Sequence, residues 1–190
     1  MKKSLGPRTL LHPTPVLAIG TYAQDGQPNV MTASWAGICC SMPPCVAVSL
    51  RKATYSYGNI VRRKAFTVSL PSEQHVKHAD FFGLITGRGT DKFAASGLTA
   101  VPSDKVDAPY VDEFPLVLEC ELLHTLEIGL HTLFVGEILN VLVEEKVLTP
   151  EGMTDLRKLQ PLIFQPDLQA YYGIGDCVGQ AFSIGEKLQE

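Results

Sequence analysis

One stretch, His131–Glu145 (HTLFVGEILNVLVEE), constrains the fold more than any other part of this chain. It is apolar and rich in β-branched residues over about 15 positions, against about 5–6 for an ordinary strand. Gly136 sits inside it, where a bulge would bend the strand. Long bent strands are the walls of tilted barrels, so this segment calls for curved β architecture rather than a flat sheet.

The rest of the sequence agrees with that demand. Pro15–Ala23 (PVLAIGTYA) reads as a strand, followed by Asp25-Gly26, a strong short hairpin signal. Asn29–Cys40 (NVMTASWAGICC) reads as the next strand, and Pro44–Arg51 (PCVAVSLR) as a third after the Pro43-Pro44 break. Ala65–Leu70 and Leu162–Gln165 read as further strands. Leu116–Thr125 alternates, with Leu118, Cys120 and Leu122 on one face and Glu119 and Glu121 on the other. Helical spacing is confined to insertions. Thr54–Lys64 places Tyr57, Ile60 and Val61 at helical intervals behind Thr54 as cap. Ser72–Thr86 starts at Ser72 as N-cap and brings Val76, Ala79, Phe82 and Ile85 to one side, with Gly83 a weak point inside. A short helical turn over Thr90–Ser96 ends at Gly97. Strands dominate and do not alternate regularly with helices, which argues against a doubly wound sheet. The expected fold class is mainly β: one domain over 1–190, an antiparallel barrel with inserted helices, closed so that edge strands are removed.

Composition narrows the function. The chain of 190 residues has 16 Lys+Arg against 20 Asp+Glu, a net charge of −4, which disfavours general nucleic-acid binding. No apolar run reaches about 18 residues, so no membrane span is expected. The N-terminal MKKSLGPRTLLHPTP has no apolar core of a signal peptide, which points to the cytoplasm. Five cysteines, Cys39, Cys40, Cys45, Cys120 and Cys177, fit no paired zinc spacing and read as buried thiols in a reducing compartment, with a redox or iron–sulfur role for Cys39, Cys40 and Cys45 as the lesser alternative. A Gly-rich dinucleotide fingerprint, a G-x-S-x-G elbow and an H-E-x-x-H motif are all absent, and Gly87-Arg88-Gly89 lacks the Lys-Ser/Thr ending of a P-loop. His75 and His78 stand three apart beside Glu73 and Lys77, which reads as a solvated helix face rather than a metal clamp. No catalytic residue and no metal is assigned.

What remains is a set of hydroxyls, amides and cations at strand ends. Asn29, Thr32, Ser34 and Trp35 lie along NVMTASW, Arg51, Thr54 and Ser56 along RKATYSYGN, and Lys92 in the Gly-rich turn TGRGTDKF. Cations, hydroxyls and the N–H groups of a helix start are what a phosphomonoester needs. Taken alone, Arg51, Thr54 and Ser56 read equally well as helix capping with a surface charge. Trp35, His131 and Phe164 taken alone read as core or interface residues.

The order of motifs resembles the flavin reductase-like, FMN-binding split-barrel family: a hairpin with Asp-Gly, then N-x-M-T-x-S-W, P-x-x-A-V-S-L-R, a Thr/Ser-Tyr-rich helix start and F-x-V-S-L-P, with HTLFVGEI and YYGIG downstream. The resemblance runs from Pro15 to Gly175. It implies a homodimer of Greek-key barrels, each holding one non-covalent FMN near the dimer interface. It also implies that Asn29 bonds the flavin or its ribityl chain, with Trp35 contributing from the same strand. Ser56 (often Thr in relatives) and Lys92 would hold the phosphate, Arg51 and Thr54 would assist, and His131 and Phe164 would approach from later strands. The function implied is an FMN-bound electron-transfer flavoprotein serving reduction of sulfur compounds through redox-protein partners. An NAD(P)H:flavin oxidoreductase and a non-enzymatic ligand-binding barrel are the alternatives.

Overall fold

The computed structural model describes residues 1–188. Strands form where the apolar runs stand. They are β1 (Thr14–Pro15), β2 (Leu17–Tyr22), β3 (Pro28–Ala33), β4 (Ala36–Ser41), β5 (Pro44–Arg51) and β6 (Ala65–Leu70) in the first half. The second half supplies β7 (Ala100–Pro102), β8 (Pro109–Val111), β9 (Leu116–Ile128), β10 (His131–Val143), β11 (Ile163–Gln165) and β12 (Ala170–Tyr172). Among the described residues four α-helices are inserted: α1 (Tyr55–Arg63), α2 (Val76–Leu84), α3 (Lys92–Ser96) and α4 (Leu156–Leu159).

The main sheet has seven strands in the order β3-β2-β6-β9-β10-β5-β4, and every pairing in it is antiparallel. Its two ends, β3 and β4, are consecutive in sequence but unpaired with each other, so the barrel is split there. The single strand expected over Asn29–Cys40 is therefore two strands, broken at Ser34-Trp35. The Ser49 N–H donates to the Trp35 carbonyl at 2.8 Å, which ties this break to β5. A three-stranded sheet, β1-β11-β12, and the β7–β8 ribbon complete the fold. The three-residue strands β7, β8 and β12 are not among those the sequence predicts.

The interior of the main sheet is filled by Ile19, Val48, Ile60, Phe66, Val68 and Phe134, each fully buried. A second cluster, with Phe82, Phe93 and Phe114 around Val30, packs α2 and α3 on the outside of β3. In α2, Ala79 and Phe82 face inward as expected, while Ile85 lies past the helix end and is exposed. Ser72 does not cap a backbone N–H; its hydroxyl meets His75 Nδ1 at 3.1 Å, and a 3-10 turn over Glu73–His75 precedes α2. Thr54 does cap α1, accepting from the Tyr57 N–H at 3.3 Å, and Gly97 ends α3 in the left-handed region at φ 72°.

The long strand behaves as its length required. The β9–β10 ladder slips between Val135 and Gly136 and again between Ile138 and Asn140, so the ribbon bends. Gly136 is needed for packing as well: a Cβ there would meet the Phe66 ring at 2.5 Å. Leu118, Cys120 and Leu122 pack on the core as the alternation predicts. Glu119 is also buried, because the β7–β8 segment covers its face. Its carboxylate accepts from Ser103 Oγ and from Asn140 Nδ2.

Forcing a methyl against Phe66 should destabilise the fold by about 1–3 kcal/mol, the usual cost of overpacking. Gly136→Ala is thus expected to lower the urea midpoint clearly. Gly37→Ala, which meets nothing within 4 Å, should stay close to wild type. Equal midpoints for the two variants would remove Gly136 from the packing argument.

Candidate functional site

The split in the barrel leaves a cleft, walled by β3, the end of β5, the start of α1 and the chain that follows α2. One cavity of about 220 Å³ is lined by Asn29, Arg51, Thr54, Ser56, Gly87 and Lys92, among others. A second, also about 220 Å³, is lined by Thr32, Ser34, Trp35, Arg51, Thr54 and His131. They share Met31, Arg51 and Thr54, so they are two ends of one groove. Nine of the ten sequence candidates, Asn29, Thr32, Ser34, Trp35, Arg51, Thr54, Ser56, Lys92 and His131, meet along it.

Each wall has a local cause. β5 runs into α1 through a turn in which Thr54 caps the helix and donates to the Arg51 carbonyl at 2.9 Å. This sets Ser56 in the first helical turn, where it is 1% exposed. Asn29, 4% exposed on β3, donates through Nδ2 to Ser56 Oγ at 2.9 Å and towards Thr21 Oγ1 at 3.4 Å. Asn59 also donates to Thr21 Oγ1, at 3.2 Å. The Asn29 Oδ1 atom is buried with no hydrogen-bond partner. Buried polar atoms in folded proteins are normally paired, so this acceptor fits a donor supplied by a ligand. Opposite it, a Cβ on Gly87 would fall 2.0 Å from that same oxygen. Glycine here keeps the space open.

Lys92 is a helix residue rather than part of the Gly-rich turn, and it is 3% exposed. Its ammonium donates to the carbonyls of Val30 at 2.8 Å and Phe82 at 2.9 Å, joining β3 to α2. An ammonium has three N–H donors, so one is left for an acceptor in the cavity. Burial lowers its pKa to about 8.

Other expectations are adjusted. The Thr32 hydroxyl is committed to the Ala79 carbonyl and so anchors α2. Trp35 stands in the break after β3, not on the strand, because the chain turns there to reach β5. Phe164 lies outside the groove, in a neighbouring cavity with His12, Pro13 and Tyr172, where its ring packs on Tyr171 with centroids 5.4 Å apart. A further hollow lined by Pro13, Ser34 and Trp35 bridges that cavity to the groove. Sequence reading missed Thr21, Asn59, Tyr55 and Gly87, which orient or line the polar end. The apolar neighbours of Asn59 hide it, although a buried Asn on the inward face of an amphipathic helix is itself a signal. The cysteines are not all buried: Cys45 and Cys120 are, whereas Cys39, Cys40 and Cys177 are exposed, since β4 is an edge strand. Among the described residues no group of three or more His, Cys, Asp or Glu side chains could hold a metal, and no helix is long and apolar enough to cross a membrane.

The depressed Lys92 pKa gives a stability signature. Between about 8 and the ordinary 10.5 the unfolded chain binds more protons at this site than the folded one. Stability therefore rises with pH across that window, and the charged form costs stability below it. Comparing urea unfolding of wild type and Lys92→Met at about pH 8 and about pH 10, the balance should shift towards wild type at the higher pH. A constant difference would mean that Lys92 keeps its ordinary pKa in the fold.

Comparison with known proteins gives a consistent picture. The flavin reductase like domain model matches residues 9–170. A solved structure of flavoredoxin of Desulfovibrio vulgaris (Miyazaki F) superposes with a TM-score of 0.94 at 54% identity, covering 97% of this chain and all (100%) of that one. Flavoredoxin from Methanosarcina acetivorans superposes at 0.91 with 29% identity, over 99% and 100% of the two chains. An uncharacterised protein of Archaeoglobus fulgidus is 36% identical over 115 residues, 60% of this chain and 65% of that protein. The matched region thus spans about two thirds of the curated relatives' length, 65% and 67% for the first two. With its matching domain model and a polar groove at the barrel split, this chain belongs to the flavin reductase-like domain family.

Proposed function

We propose that this protein binds FMN in the groove and acts as an electron-transfer flavoprotein of the flavoredoxin type. The observation that carries the reading is the polar end of the groove: Asn29 with its unpaired Oδ1, Ser56 and the spare N–H of Lys92 converge on one cavity. A phosphomonoester carries about −1.5 to −2 charges at neutral pH, and burying it requires a cation and several donors. Lys92, Ser56 and the N-terminus of α1 supply these, and Arg51 adds charge at the rim. The 54% identity to a flavoredoxin supports the same reading.

Flavin, when bound, supplies one- and two-electron redox chemistry that the side chains lack. The residues bind, orient and shield. Lys92 and Ser56 hold the phosphate end, and Asn29 offers an acceptor to the ribityl chain or ring edge. Trp35, Met31 and His131 line the other half, where apolar surface for a planar ring system stands beside the polar groups of Ser34 and Arg51.

A homodimer belongs to this proposal. The tip of the β9–β10 hairpin exposes Leu123, Leu126, Ile128 and Leu130 at 40–65%, a run that a lone chain leaves in water. His131 follows directly and pairs with both Ile128 and Arg51, so a partner docked here would abut the groove. An NAD(P)H:flavin oxidoreductase is the second reading. The observation that favours it is the cavity of about 410 Å³ next to the groove, lined by His12, Phe164 and Tyr172, which has room for a second ring.

Four outcomes test these assignments. The purified protein should be yellow and bleach with dithionite. A colourless protein that takes up no FMN ends the proposal, and turnover of NAD(P)H with free flavin would move it to the second reading. Lys92→Met should weaken FMN by about 1.5–3 kcal/mol, roughly ten- to a hundredfold, while sparing riboflavin, which lacks the phosphate. In wild type the preference for FMN over riboflavin should fall as pH rises through about 8, because Lys92 must be protonated to pair with the phosphate. Equal losses for both flavins would remove Lys92 from the phosphate site. For assembly, Leu126→Asp with Leu130→Asp should turn a dimer into a monomer in sedimentation, and an unchanged dimer would place the interface elsewhere.

A further inference from the structure

The hairpin joining β4 to β5 holds three of the five cysteines: Cys39, Cys40 and Cys45. None is used by the groove. In the ladder, Cys40 stands directly opposite Cys45. Directly opposed side chains share a face, with Cβ atoms about 4.5–5.5 Å apart and Cα atoms about 4.5–5.5 Å apart. A disulfide needs Cα atoms about 4.4–6.8 Å apart and Cβ atoms near 3.8 Å, so a small local adjustment suffices. The register slips between Ile38 and Cys40, which leaves Cys39 unopposed in the bulge.

The two opposed thiols differ in access. Cys45 is 3% exposed, while Cys40 lies open on an edge strand. Burial pushes the Cys45 thiol up, and its contacts with Cys40 and Cys39 add to the shift. An exposed attacking thiol with a protected one within reach is the usual arrangement of an initiating and a resolving cysteine.

We propose that Cys40 and Cys45 are a thiol–disulfide site, closed across the β4–β5 hairpin by exchange with a low-molecular-weight disulfide such as oxidised glutathione. The Cys40 thiolate attacks one sulfur of that disulfide and forms a mixed disulfide, expelling one thiolate. The Cys45 thiol loses its proton and attacks the Cys40 sulfur, expelling the second. The two protein thiols are oxidised to one disulfide, and the small disulfide is reduced to two thiols. The bond pins β4 to β5 at the outer end of a hairpin whose inner end joins Trp35 and Arg51 in the groove. It does not depend on the identity of the flavin.

The test uses the wild-type chain, with or without bound cofactor. After incubation with oxidised glutathione, free thiols are alkylated and the protein is cut with trypsin. One fragment, Thr9–Arg51, carries Cys39, Cys40 and Cys45 and no other cysteine. The expected product has lost two hydrogens and is alkylated at Cys39 alone, and dithiothreitol restores three alkylated positions. Cys40→Ser and Cys45→Ser should each abolish the loop, and Cys39→Ser should keep it. Three alkylated cysteines after oxidation, a glutathione adduct that persists on Cys40, a bond through Cys39, or a cross-link between chains would each overturn the assignment. Because the primary readout is on wild type, misfolding of a Cys45 variant does not rescue the proposal.

Discussion

The polar end of the groove rests on a set of buried polar groups whose hydrogen bonds leave one buried acceptor over. Thr21, Asn29, Ser56, Asn59 and Lys92 are all under 5% exposed, between β2, β3, α1 and α3. An unpaired polar group there would cost about 1–3 kcal/mol, so these side chains fix one another's positions. Asn59 and Asn29 converge on Thr21, Asn29 reaches Ser56, and Lys92 ties two carbonyls together. The acceptor left over, Asn29 Oδ1, faces the space kept clear by Gly87. The polar end of the groove is therefore built by the scaffold's own hydrogen bonds.

A preorganised site of this kind keeps the ordering cost of binding low. Burial of Lys92 costs stability below pH about 8, and the phosphate proposed to bind there would offset that cost. Lys92 and Glu119 are the buried charged side chains among the described residues, and of the two only Lys92 lines the groove. The second half of the fold serves the same groove from farther away. The bulges around Gly136 bend the β9–β10 ribbon, which delivers His131 to the rim and leaves an apolar tip beyond it.

Much of this was legible in the residues. β5 and β6 begin and end where their apolar runs and flanking breaks put them, because buried strands of fixed period admit little slippage. Thr54 capped α1 and Gly97 closed α3, since both act through local backbone chemistry. The groove residues came together as a group through the order of motifs that carries the family resemblance, since taken alone Arg51, Thr54 and Ser56 read equally well as helix capping and Trp35 and His131 as core or interface residues. The failures share a different cause. Glu119 stands on the polar face of an alternating strand, and its burial there could not be read because the β7–β8 segment that covers it is distant in sequence. The break at Ser34-Trp35 is invisible in NVMTASWAGICC, where propensity favours strand throughout, and it arises only because β4 must cross to pair with β5. Cysteine burial was misjudged because whether a strand is central or at an edge depends on sheet order.

The sequence by itself determined the mainly β class, the curvature of the long ribbon and the chemical character of the groove, because periodicity, turn residues and capping act over a few neighbouring positions. Only the tertiary structure decided which of those polar residues face a cavity and which are consumed by the scaffold. It gave the Thr32 hydroxyl to a helix carbonyl, set Phe164 in an adjoining hollow, and turned Lys92 into both a strut and a donor. Partners of this kind lie tens of residues apart, as with Lys92 and Val30, and are chosen by the order in which strands pair. That order is settled by the packing of the whole sheet, and no local stretch of sequence encodes it.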